Sequence, residues 1–272
     1  MVFLPPFVAP ASQGGVNTQV DVMSTHFYSS CNQLDTDSAL MNTVPQFAAN
    51  VSYFYQELKR RTDLANVPVW VTENNVNADY SNGNGKSVCN PAQTFVTDRR
   101  GTSAFFAAWR PYVFSQLGKV GNQALYHWAY DSDQQYGEVD LSGNTYLSYW
   151  VDKTLAAIYP STVAAPGPSI LELSATESTS VEILATKNAD GSVTVMVDDH
   201  AVASAADNNG MGAPRTVIVD VSGLGTFSSA SMVTIDATTS LTNGPSPVSV
   251  TPAARMAVNL GGYGVAFLTL KP

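Results

Sequence analysis

The chain has 272 residues, 44% of them hydrophobic and 10% aromatic, which is enough for one large core or two ordinary ones and lies outside the composition of disordered chains. Thirteen basic and 22 acidic residues give a formal net charge of -9, which excludes a surface that tracks nucleic-acid phosphates, because such a surface needs clustered Lys and Arg. No apolar run approaches the roughly 18 residues of a membrane-spanning helix, and residues 1–10, with three prolines and no cationic start, do not read as a signal peptide.

In chain order, residues 2–9 offer a weak strand, and the first strongly patterned one is 20–28. There Val20, Val22, Ser24, His26 and Tyr28 share a face, with the polar groups at the C-terminal end. A helix follows, its apolar face carrying Leu40, Val44, Phe47, Val51, Phe54 and Leu58. Pro45 suits a first turn, so the main helix is expected from about Val44, with 37–41 as a lead-in turn. The basic runs Lys59-Arg60-Arg61 and Arg99-Arg100 read as helix ends.

The second strand, 68–73, alternates so that Val69, Val71 and Glu73 fall on one side, and it leads into an Asn/Gly-rich loop. The next helix carries Phe105, Phe106, Trp109, Val113 and Leu117, with a break expected at Pro111. A third strand at 124–130 runs into an acidic loop with Asp131, Asp133 and Glu138, then into a helix marked by Leu147, Val151, Leu155 and Ile158. Strands alternating with helices in this way specify a parallel sheet over residues 1–160. Pro166, Gly167 and Pro168 mark a linker at 161–169. Residues 170–272 lose helical periodicity and break into short strands typical of an antiparallel β-sandwich, so the fold class is α/β plus all-β.

Candidate functional residues gather at the C-terminal ends of the parallel strands, where β/α sheets and barrels bind their ligands. Glu73, His26, Tyr28 and Trp128 all fall there. Each also has a plainer reading: Glu73 as a structural carboxylate satisfied by a loop, His26 and Tyr28 as core residues with satisfied polar tips, Trp128 as core, and Glu138 as part of a solvated acidic loop. Asp131 and Asp133 have no calcium-loop spacing, and neither a metal nor a cofactor is expected. Cys31 and Cys89 allow one disulfide, which would indicate an oxidising compartment, or two buried thiols.

Three segments carry a resemblance. Val69-Trp70-Val71-Thr72-Glu73-Asn74-Asn75, His26-Phe27-Tyr28, and Tyr126 to Asp131 with Tyr136-Gly137-Glu138 are together similar to the C-terminal half of a clan A (β/α)8 retaining glycoside hydrolase, family 39-like, with its C-terminal β-sandwich. The resemblance implies that Glu73 is the nucleophile forming a glycosyl-enzyme intermediate. It further implies that His26, Tyr28 and Asn74 hold the carboxylate and the sugar hydroxyls, that Trp128 offers a face to the pyranose ring, and that Glu138 contacts a sugar hydroxyl. Cys31 and Cys89 then follow neighbouring strands on one face, and a disulfide pinning the loop 74–91 is expected.

The resemblance also implies what is missing. In that clan the acid/base Glu ends the fourth barrel strand in an Asn-Glu pair, and no such pair precedes Glu73. About three β/α units stand before the sandwich, whereas eight occupy roughly 250 residues. The expected architecture is a partial (half) β/α barrel followed by an antiparallel β-sandwich. The expected partners are a carbohydrate and a second copy of the chain, a homodimer covering the open half-barrel, with no nucleic acid and no membrane. An extracellular or periplasmic location follows from ancestry and the disulfide. A non-catalytic carbohydrate-binding module and a purely structural module remain the alternatives.

Overall fold

The computed structural model describes residues 20–61, 64–159, 168–171 and 179–272; the weak strand at 2–9 and most of the linker at 161–169 lie outside these residues. Strands β1 (Met23–Ser30), β2 (Val69–Asn77) and β3 (Ala124–Leu125) form a parallel sheet in that order. Helices α1 (Asp37–Lys59), α2 (Ala104–Lys119) and α3 (Leu147–Ile158) connect and follow them. The helices bury one face of the sheet: Phe27 stacks on Phe47 with ring centroids 4.1 Å apart, and Val71 and Val76 share a core with Leu40, Val44, Val51, Phe105 and Phe106.

Helix α1 starts seven residues earlier than its proline suggests. The Thr36 hydroxyl caps it by accepting from the Ala39 amide, Asp37 occupies the first turn and Lys59 the last, so both ends suit the helix dipole. Pro45 lies inside the helix and withholds only the bond that would reach the Met41 carbonyl. Leu40, Met41, Val44 and Ala48, all buried around it, offset that loss. Pro111 likewise sits within a continuous α2 rather than breaking it. That helix is buried on nearly every side, from Ala104 through Val113, the pattern of a helix inside a core rather than at a surface.

The third strand is shorter than its sequence pattern. Only Ala124 and Leu125 pair with β2 as a ladder. The Tyr126 amide still donates to the Val71 carbonyl at 2.9 Å and the Trp128 amide to Asn74 at 3.2 Å, after which the Ala129 amide turns to the Tyr136 carbonyl. The chain leaves the sheet there because its own loop supplies the hydrogen-bond partners.

Beyond residue 168 all strands are antiparallel: β4 (Ser169–Ile170), β5 (Val181–Lys187), β6 (Val193–Asp199), β7 (Arg215–Asp220), β8 (Ser229–Asp236), β9 (Val248–Val250), β10 (Arg255–Leu260) and β11 (Gly264–Lys271). They build a six-stranded sheet in the order β4-β5-β6-β11-β8-β9 and a two-stranded sheet, β10-β7. One face of the larger sheet packs Val193, Val195 and Val197 against Val219, Met256 and Val258 of the smaller. Its other face puts Met196, Ile235, Val265 and Phe267 into the same core as α2. This double cover explains why all seven residues of β6 are buried.

Polar contacts reinforce that seam. Asp37, fully buried, accepts from the Asn209 and Gly210 amides, both at 2.8 Å, and from the Tyr263 hydroxyl at 3.2 Å. Glu182 accepts from Ser115, Gln116 and Lys119 of α2. At Gly244, with φ of 74°, a Cβ would stand 2.4 Å from the Trp150 ring, so only glycine permits this close approach.

Candidate active site

The phase of β2 determines where its carboxylate points. Thr25 pairs with Val71 but His26 pairs with Glu73, so Thr72 is an extra residue, a β-bulge. Val69 and Val71 before the bulge, and Asn74 and Val76 after it, face the helices. Glu73 therefore does not continue the face of Val69 and Val71, as simple alternation predicts. It turns to the opposite face, which no described helix covers and where His26 and Tyr28 stand on β1.

On that face the Tyr28 hydroxyl donates to Glu73 Oε2 at 3.0 Å, and His26 Nδ1 lies 3.2 Å from the same oxygen. Burial first, and then the Glu73 carboxylate, push the Tyr28 phenol well above its ordinary value, so it remains a protonated donor. Glu73 Oε1 has no hydrogen-bond partner among the described residues. One oxygen is held and the other is open, while the side chain is 29% exposed. This geometry suits a carboxylate nucleophile addressing a group above the strand ends.

Aromatic side chains flank it. Tyr126 contacts Trp70 with ring centroids 6.2 Å apart. Tyr126 and Trp128, both about half exposed, and the more open Tyr130 stand beyond it on the third strand and its loop. Trp128 is thus open to solvent rather than core, as a stacking surface must be.

Two residues expected at the sugar have protein partners of their own. Asn74 is fully buried on the helix side; its amide donates to the Phe27 carbonyl at 2.9 Å and its oxygen accepts from Arg110 Nη1 at 2.5 Å. It braces the strand beside Glu73. Glu138 is not a freely solvated loop residue: it lies 3.7 Å from His127 Nδ1 and is 16% exposed. Burial, and secondarily Asp152, push its carboxyl up to about 7, against the opposing pull of His127 and Arg110. Asp152 accepts from His127 Nδ1 at 2.6 Å and from Arg110 Nε at 2.7 Å; burial pushes its carboxyl up, but the Arg110 charge and the hydrogen bond from His127 outweigh that and hold it down at about 2. His127, Glu138 and Asp152 bring ligand atoms within 4.8 Å of one another, a spacing that fits a divalent cation, but Asp152 is already paired with Arg110 and hydrogen-bonded to His127.

Cys31 and Cys89 form the expected disulfide, with Cα atoms 5.8 Å apart, tying the loop after β2 to the end of β1. Sequence patterning missed the other residues that fasten the loops. Gln135 and the Tyr136 hydroxyl both donate to the Asp79 carbonyl, joining that loop to the one after β3. Arg100 does not end a long helix: it is fully buried in a short 3-10 turn, bound to Asp98 at 2.7 Å and to Asp37 at 3.4 Å. The available signal was Asp98 preceding Arg99-Arg100 as a cap; nothing local pointed to Asp37, 63 residues away.

No family model and no curated protein sequence matches the chain. Solved structures do. It is similar to a monomeric β-xylosidase from Caulobacter crescentus CB15 (TM-score 0.61, 13% identity, 98% of this chain and 58% of that one). It is also similar to a GH51 arabinofuranosidase from Xanthomonas axonopodis pv. citri (0.57, 16%, 96% and 54%) and to a GH30 endoxylanase from Clostridium papyrosolvens C71 (0.53, 16%, 97% and 51%). The chain therefore has a glycoside hydrolase-like fold and spans a little over half the length of these structures.

Proposed function

We propose that the chain is the nucleophile-bearing part of a retaining glycosidase and acts on a carbohydrate, with Glu73 as nucleophile, Tyr28 and His26 as its hydrogen-bonding partners and Trp128 as the ring platform. The observation that carries this reading is the bulge-directed Glu73, held through Oε2 and open at Oε1 at a parallel strand end. Residues 1–160 form the back half of a β/α barrel in this reading, and residues 170–272 a sandwich packed behind it. Retaining chemistry needs a second carboxylate about 5 to 5.5 Å from the first. We assign that role to strands completing the barrel, supplied by a second copy of the chain in a homodimer or by a partner half. Secretion fits the Cys31–Cys89 disulfide, and no described helix is long and apolar enough to cross a membrane.

The test is covalent trapping. Incubation with a panel of activated 2-deoxy-2-fluoro aryl glycosides should add one sugar to a peptide containing Glu73, read by mass spectrometry, and Glu73→Ala should abolish the adduct. A second reading, a non-catalytic carbohydrate-binding module, is favoured by the exposed aromatic side chains Tyr126, Trp128 and Tyr130, which suit stacking on a sugar whether or not Glu73 reacts. It predicts no adduct and sugar binding that survives Glu73→Ala.

A further inference from the structure

Two loops leave the strand ends beside Glu73 and are fastened to one another. Residues 78–98, after β2, are held by the Cys31–Cys89 disulfide, and residues 129–146, after β3, reach them through Gln135 and Tyr136, which both donate to the Asp79 carbonyl. Each loop carries a tyrosine on pinned backbone. The Tyr80 amide donates to Asp79 Oδ1 at 3.0 Å and its carbonyl accepts from the Val88 amide at 3.0 Å; the Tyr130 carbonyl accepts from the Glu138 and Val139 amides, both at 2.9 Å. Both rings nonetheless stay in water, Tyr80 56% and Tyr130 61% exposed.

A single exposed aromatic side chain is ordinary on any surface. Here Tyr80 and Tyr130 join Trp128 as three open rings on two mutually bonded segments, all at the end of the sheet where Glu73 stands. Trp128 alone suffices for one pyranose ring, and at most about 7 Å of backbone separates it from Tyr130. Two rings are thus left for neighbouring sugars. Because the backbone on either side is already fixed, binding has only the two torsions of each tyrosine side chain left to order. Charge then narrows the ligand. Asp131 and Asp133 are exposed in the second loop, Glu73 is open at the strand end, and Lys86 is the only Lys or Arg in either loop, so the face repels uronates and sulfated sugars and admits neutral ones.

We propose that Tyr80 and Tyr130 form outlying sugar sites, so that the ligand is a neutral oligosaccharide long enough to reach past Trp128 onto both loops rather than a mono- or disaccharide. The proposal rests on the reading of these strand ends as a carbohydrate site with Trp128 as its platform, and is independent of whether Glu73 reacts. Each tyrosine contributes to a chain that reaches it and nothing to one that stops at Trp128. Chain length is therefore the variable that exposes the two sites.

Isothermal titration calorimetry of the full chain with xylobiose and xylohexaose, and with cellobiose and cellohexaose, provides the test. In at least one series the hexaose should bind about tenfold more tightly than the disaccharide, or better. Tyr80→Ala and Tyr130→Ala should each cost the hexaose roughly five- to tenfold in affinity, the worth of one aromatic contact, and leave the disaccharide within about twofold. Tyr53→Ala, which removes an equally exposed tyrosine from α1, should change neither. Hexaoses that bind no better than their disaccharides in both series, loop variants that weaken both lengths equally or neither, or no binding of either hexaose overturns the proposal. So does tighter binding of hexagalacturonate than of the neutral hexaoses. The nucleophile is judged apart: length-dependent binding without a Glu73 adduct defeats the nucleophile and leaves this proposal standing, and an adduct without length dependence does the reverse.

Discussion

The Tyr28 hydroxyl reaches across from β1 to Glu73 Oε2 on β2 at 3.0 Å, so the candidate nucleophile is oriented by a neutral donor that its own surroundings keep protonated. A hydrogen bond to a charged group is worth about 1.5 to 3 kcal/mol. Tyr28→Phe should therefore slow trapping of Glu73 by an activated fluoroglycoside roughly 10- to 100-fold. The thermal midpoint should fall by only a few degrees, since the lost hydroxyl serves this one bond.

The contrast between Glu73 and Asn74 shows what a linear pattern conveys and what it omits. Strand existence, and the clustering of Glu73, His26 and Tyr28 at one end of the sheet, follow from composition and alternation over a few residues. The phase of that alternation does not survive a bulge, because one extra residue, Thr72, reverses every side chain after it. Hence Val71 and Glu73, two apart, face opposite ways, and Asn74 is buried where alternation would expose it. The prolines in α1 and α2 read as boundaries for a related reason. Local propensity counts the missing N–H, and only the packed structure shows the burial that outweighs it. The Arg100 to Asp37 pairing spans 63 residues and leaves no local trace.

Several carboxyls should give the fold a pronounced acidic preference. Glu138 is raised from an ordinary 4.5 to about 7 and Asp199 from 3.8 to about 6, both chiefly by burial. Each is more protonated in the folded state than in the unfolded one, so its contribution is complete below about pH 4 and is lost as pH rises through 6 to 7. Asp152, held at about 2, and His200, lowered to about 4 by burial, act oppositely. His200 withdraws stability as pH falls from 6.5 through 4, and Asp152 does so as pH falls from 3.8 through 2. Calorimetric scans should show the midpoint temperature declining between pH 5 and 7.5, and Glu138→Gln should make that decline shallower. The rise at Glu138 corresponds to about 3 kcal/mol at most.

Asp37 is the hinge of the seam between the parallel and antiparallel parts, accepting from Arg100, Tyr263 and two backbone amides while fully buried. Removing one member of such a group leaves a buried guanidinium short of a partner, which costs about 3 to 5 kcal/mol. Asp37→Ala should lower the denaturant midpoint accordingly. The amides of Asn209 and Gly210 should also lose protection from hydrogen exchange well before those of β6, because they lose their acceptor while the sheet ladder keeps its own.

The disulfide should matter more to the site than to the sheets. Cys31 and Cys89 close a loop with a sequence separation of 58, for which the chain-entropy estimate is about 4 kcal/mol at 25 °C. Between them run α1, β2 and the loop that donates nothing to the main cores but is fastened by Asp79 to Gln135 and Tyr136. In Cys31→Ser/Cys89→Ser, limited proteolysis should cut first within residues 80–95, while the six-stranded sheet stays protected. If Glu73 is the nucleophile, trapping by a fluoroglycoside should slow only severalfold, since β1 still holds Tyr28 against it through seven register pairs with β2. Loss of the adduct with an uncut sheet would mean that this loop, and not the strand ends alone, shapes the sugar site.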